Sequence, residues 1–100
     1  MIQIVYEYVH ISASESLESF VSEKLKDLED KYDFIIRADV FFKKENRSDE
    51  EEQICEIRLS TPGPRLFASS NATNFRVAAS QTIKELEKQL EKRKGKMRVH

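Results

Sequence analysis

The 100-residue sequence has one cysteine, two glycines, two prolines and no tryptophan, and each scarcity excludes something. With Cys55 alone, an internal disulfide and a cysteine-cluster metal site are both excluded. A single cysteine in a strand pattern reads as a small buried hydrophobe in a reducing compartment, by default the cytosol. Gly63 and Gly95 are too few for a glycine-rich phosphate loop. No apolar run approaches the roughly 20 residues that cross a bilayer, and the N-terminus lacks the basic-then-apolar layout of a secretory leader, so neither export nor membrane binding is expected. An excess of one charge is missing too: 17 Lys and Arg against 18 Asp and Glu leave a net charge of −1 and a pI near 6.1. That is unlike a strongly basic nucleic-acid binder, so any such function must come from how the charges are distributed.

Catalytic groups are equally sparse. His10 falls at a strand end and His100 at the terminus, and neither has a nucleophile, a carboxylate pair or a ligand set beside it in sequence. The expectation is no enzyme, no cofactor, no metal and no small-molecule substrate.

What is present is a single domain, long enough to bury about 60–65% of its unfolded surface in one core. Ile2 to Val9 alternates with Ile2, Ile4, Tyr6 and Tyr8 on one side, a first strand. Ser12 or Ser14 then offers an N-cap, with Glu15 completing a capping box from Ser12. Leu17, Phe20, Val21, Leu25, Leu28 and Tyr32 follow at helical spacing. Ile35 to Lys44 returns to period two, with Ile36, Ala38, Val40 and Phe42 inward and Phe41 outward as an exposed contact or stacking aromatic. Glu45 to Glu52, polar and mostly acidic, reads as a solvated, mobile hairpin loop; it matches no calcium loop. Gln53 to Ser60 is a third strand with Cys55, Ile57 and Leu59 on one face. Thr61-Pro62-Gly63-Pro64 is a type II turn leading to a short fourth strand, Arg65 to Ser69.

The stretch Asn71 to Lys96 closes the chain. Phe75, Ala79, Ile83, Leu86 and Leu90 make one apolar helical stripe, and cations gather beyond it. Between residues 84 and 98 stand seven cations and three anions, whereas Glu15 to Asp33 holds seven acids against Lys24, Lys26 and Lys31. The bland reading of the last helix is a solvated face with Glu87 and Glu91 as partners; the functional one is a polyanion-binding surface. The order β-α-β-β-β-α predicts an α+β two-layer sandwich, a four-stranded mixed sheet with both helices on one face.

This order, with FVSEKLKDLEDKYD in the first helix, EIRLSTPGPRLFAS across two strands and IKELEKQLEKRKGK in the last helix, resembles a short ribosome hibernation-promoting factor of the ribosome-associated inhibitor type. The resemblance runs from Ile2 to Lys96. It implies a fold similar to a double-stranded-RNA-binding domain. It also implies a cytoplasmic protein whose basic helices dock on 16S-type rRNA of the small ribosomal subunit, near the decoding centre, and block the mRNA and tRNA sites in stationary or starved cells. DNA is not an expected partner. The chain ends at His100, which resembles the short type: one ribosome-binding domain, core 1–96 and tail 97–100. Lys88, Gln89, Leu90, Lys92, Lys94 and Lys96 match the family's basic run, and Lys24 a basic position of its first helix. Arg76, Lys84 and Arg93 complete the expected rRNA-binding set. The sequence departs at Asn74-Phe75-Arg76, where many relatives carry an acid-aromatic-tyrosine sequence, at Ser80 in place of an aspartate, and at Asp27 in place of a lysine. A reading from a different class is a small protein-interaction module that uses the acidic first helix and the segment Glu45 to Glu52.

Overall fold

The computed structural model describes residues 2–47 and 50–98. Its centre is an antiparallel pair of strands, β2 (Arg37–Arg47) and β3 (Glu50–Ser60), flanked by β1 (Gln3–Val9) and β4 (Leu66–Ala72). The sheet order is β1-β2-β3-β4, with β1 parallel to β2 and the other pairs antiparallel. Two helices, α1 (Glu15–Lys31) and α2 (Phe75–Arg98), complete the β-α-β-β-β-α order. Alternation decides which face the helices cover: Ala38, Val40 and Phe42 of β2 and Cys55, Ile57 and Leu59 of β3 are fully buried beneath them, as the period of two requires.

The long hairpin corrects the acidic-loop expectation. Glu45 pairs with Glu52, Asn46 with Glu51 and Arg47 with Glu50, so the strands continue through most of the segment read as a loop; residues 48–49 lie outside the described residues. A β-ladder is held by backbone hydrogen bonds, and no proline or glycine between 45 and 52 stops it. Register set by the buried pairs Val40–Ile57 and Phe42–Cys55 therefore propagates outward. Two smaller differences follow the same logic. β4 runs on to Ala72, opposite Gln53. Ile36 is 61% exposed while Ile35 is buried, because the chain enters β2 through a turn in which the Ile35 N–H donates to the Tyr32 carbonyl.

α1 starts at Ser14, whose hydroxyl accepts from the Leu17 N–H at 3.3 Å. With Ser14 as the cap, the position that would close a capping box is Leu17, so Glu15 has no such part. Leu17, Val21, Leu25 and Leu28 are buried. On the outer side of this stripe the helix is tied to the edge strand by hydroxyls: Tyr6 bonds the Glu18 carbonyl and Ser22, and Tyr8 bonds the Glu18 carboxylate. Asn74 caps α2, its Oδ1 accepting from the Val77 N–H at 2.9 Å. Ala79, Ile83, Leu86 and Leu90 are buried as the stripe predicts, with Phe75 packed against the core from its edge. Phe42 joins the two halves, stacking on Tyr6 and meeting Phe75 edge-on at 5.6 Å.

Candidate nucleic-acid interface

Two polar anchors on its inner side fix the orientation of α2. Thr82 is fully buried, with its hydroxyl 2.8 Å from the Cys55 carbonyl of β3 and 2.9 Å from the Ala78 carbonyl. Arg93 reaches the turn before β4. Its Nη1 donates to Thr61 Oγ1 and the Pro62 carbonyl, both at 2.8 Å, and its Nη2 donates to the Pro64 carbonyl at 2.9 Å. Gly63 has φ 93°, as the third position of a type II turn requires. A Cβ there would also come within 3.3 Å of Arg93 Nη1, so glycine serves both the turn and the approach of the guanidinium.

With α2 so oriented, the expected contact residues divide. Lys88 and Lys92 are exposed on the side toward β4, where the Gln89 amide donates to the Phe67 carbonyl at 3.0 Å. Lys96 is exposed near the end of the helix. Arg76 and Lys84 face α1 and meet Lys24 and Phe20 across the inter-helix groove. The Phe20 ring has Arg76 at 4.9 Å and Lys24 at 5.1 Å from its centroid. Lys94 lies on the same side, 5.6 Å from the Tyr32 ring. Arg93 stands apart from all of these.

The groove is electrostatically mixed. Asp27 and Glu87 line it beside Lys24 and Lys84, and Lys31 bridges from α1 to Glu87 at 3.0 Å. That hydrogen bond holds the Lys31 ammonium above its ordinary pKa. The ion pairs Lys31–Glu87, Arg37–Asp39 and Lys43–Glu56 use none of the expected contact cations. On the helix-free face of the sheet, Phe41 is half-buried with Arg58 over its ring at 5.9 Å. Phe67 of β4 is 48% exposed there. Its position between Leu66 and Ala68, both inward, was the available signal. Phe20 follows the apolar stripe of α1 and by that pattern alone is a core residue. The signal missed was Lys24, one turn further on the same helix face.

Burial pushes the Cys55 thiol up to about 12, which keeps it protonated. No helix among the described residues is long and apolar enough to cross a membrane.

The family model described as Sigma 54 modulation protein / S30EA ribosomal protein matches residues 4–98. The chain belongs to this family. It is the family that the element order and the last helix resemble, and the match takes in both helices and all of the sheet but Gln3. Solved structures agree on the fold. A ribosomal subunit interface protein from Coxiella burnetii superposes with a TM-score of 0.83 at 20% identity, covering 94% of this chain and 99% of that one. The N-terminal domain of Protein Y from Thermus thermophilus gives 0.78 at 17% identity, covering 92% and 98%. No curated protein sequence matches the chain. At these identities the likeness carries the α+β sandwich with its helices on one sheet face, and leaves the contact residues to be argued from their own geometry.

Proposed function

We propose that the protein is a non-catalytic ribosome-binding inhibitor of translation, which docks on small-subunit rRNA near the decoding centre and blocks the mRNA and tRNA sites in stationary or starved cells. Residues 1–100 act as one ribosome-binding domain working in the cytoplasm where ribosomes are, and the helix that carries the cations runs on through residues 97 and 98, which from the sequence are expected to belong to a tail. Family membership supports the class of partner, as do the names of the two structural relatives, a ribosomal subunit interface protein and Protein Y. The observation that carries the reading is the division of α2: its apolar stripe, Thr82 and Arg93 are committed to the sheet, while Lys88, Lys92 and Lys84 project into solvent. A helix needs no such set of exposed cations in order to pack. An RNA backbone recruits them through counterion release, with sequence-independent contacts dominating.

The protein-interaction reading draws on the acidic first helix and an acidic loop at 45–52, and the second of these is largely paired strand, which removes the adaptable element of that reading. Sedimentation of a cell lysate separates the two readings. The tagged protein is expected in the small-subunit or ribosome fractions, released by raised salt, and the purified protein is expected to inhibit cell-free translation. A protein that stays at the top of the gradient at low salt overturns the docking reading.

A further inference from the structure

One notch on the α1-facing side of α2 is not accounted for by packing. Phe20 of α1 lines it with Arg76, Val77, Ser80, Gln81 and Lys84 of α2, and it is an open depression of about 250 Å³. Val77 is 42% exposed there, apolar surface left in water beside Arg76 and Lys84. Phe20 is half-buried, and Arg76 and Lys24 both lie about 5 Å from its ring centroid.

The mixture of groups selects the ligand. A bare phosphate would use Arg76 and Lys84 and gain nothing from Phe20 and Val77. An apolar side chain would use the floor and leave the cations unmatched. A nucleobase with its own phosphate matches both. Its π-face lies on aromatic or guanidinium surface, its edge groups meet an amide and a hydroxyl, and its phosphate meets a lysine. Pockets that enclose a whole small molecule run to roughly 300–1,000 Å³, so a smaller open notch suits one flat ring better than a free cofactor. Resting on the rRNA-docking reading above, we infer that this notch holds a single unstacked base of the docked RNA. The Arg76 guanidinium, carried over the Phe20 ring, forms its stacking platform, Gln81 and Ser80 meet its edge, and Lys84 meets the adjoining phosphate.

Stacking and phosphate contacts differ in salt dependence, and the test uses that difference. Phe20→Leu removes the ring and no charge. Affinity for purified small subunits is expected to fall about 5- to 20-fold, with an unchanged slope of log affinity against log salt. Phe20→Tyr, which keeps the ring, is expected to stay within about twofold of wild type. Arg76→Lys keeps the charge but loses the planar face; it is expected to weaken binding in the same way, and at an exposed position it serves even if Phe20→Leu lowers the melting temperature. One rRNA base protected by wild type from methylation on its Watson–Crick edge is expected to lose protection with Phe20→Leu. Unchanged affinity in both variants overturns the notch. So does a slope in Phe20→Leu that falls by about one unit together with affinity, since Phe20 would then only position cations. A wild-type chain that fails to bind small subunits overturns the docking reading, and the notch with it; a wild type that binds, with both variants unaffected, overturns the notch alone.

Discussion

Next to each other on α2, Lys92 stands in solvent one turn from Lys88, while Arg93 is bound through three hydrogen bonds to the turn at 61–64. In the sequence these belong to one cationic run. In the structure the 100° step between neighbours places Arg93 on the inner side with Leu86 and Leu90, and Lys88 and Lys92 on the outer side. The inner side of α2 sets stability and the outer side is available to a partner. The type of a residue does not decide which of these it does; its angle on the helix does.

The largest effect separates the two sides by energy. Leu86 is fully buried under α2, and Leu86→Ala is expected to cost about 2–5 kcal/mol of stability, a large share of what a domain of this size has. Affinity of the remaining folded fraction for small subunits should be unchanged. A loss below about 1 kcal/mol in a denaturant melt would mean that the inner side does not carry the fold.

Reversal of Lys88 and Lys92 to Glu addresses the outer side. Each lost phosphate contact is expected to lower the salt slope by about one unit, and affinity should fall about 10- to 100-fold with the melting temperature unchanged. A suitable control is Glu23→Lys, at an exposed position on α1. Glu18, on the face of α1 that reads from sequence as outer, is a poor control because its carboxylate accepts from Tyr8. Binding and slope unchanged in the folded double variant would make the outer side plain solvated surface.

Arg93→Ala sharpens the contrast at a single cation. It leaves Thr61 and two turn carbonyls without their donor, so a stability loss of about 1 kcal/mol is expected, with no change in salt slope. A slope that falls by one unit at constant stability would return Arg93 to the outer group.

How much of this was legible depended on the range of the signal. Period two in Cys55, Ile57 and Leu59 and period 3.6 in Ile83, Leu86 and Leu90 are local patterns, and they place the core faces of β3 and α2. The continuation of β2 and β3 through Glu45 and Glu52 left no apolar trace, because backbone pairing holds it; the readable sign was the absence of a breaker. The role of Arg93 depends on a turn some thirty residues earlier in the chain, and nothing near Arg93 announces it. Phe20 obeys the helical stripe, and only its place at the margin, beside Lys24 and across from Arg76, gives it an open edge.

The smallest effect extends the comparison from the sides of α2 to the two helices. α2 is anchored by the buried Thr82 hydroxyl and by the Arg93 guanidinium on the turn at 61–64. α1 is tied to β1 through titrating hydroxyls. Burial, then the hydrogen bond to Glu18, push the Tyr8 hydroxyl from 10.0 to about 12. Burial also raises Tyr6. A group whose folded pKa lies above its unfolded value contributes stability that is fully present below the unfolded value and is lost as pH rises through the folded one. For Tyr8 that window runs from about pH 10 to about pH 12. Buried Cys55, raised from 9.0 to about 12, acts in the same direction from lower pH, and so do the paired Lys31 and Lys43. The decline of wild type alone therefore does not isolate the α1 tie, whereas its difference from Tyr8→Phe does. Tyr8 is solvent-screened, and the difference should be about 1 kcal/mol or less, read as a shallower fall of melting temperature between pH 10 and 12 in the variant. Protection of α1 amides from hydrogen exchange should drop in wild type before that of α2 over the same window. Identical alkaline profiles for wild type and Tyr8→Phe would show that the tyrosine tie contributes nothing to holding α1, and the contrast between the helices would then rest on their apolar stripes alone.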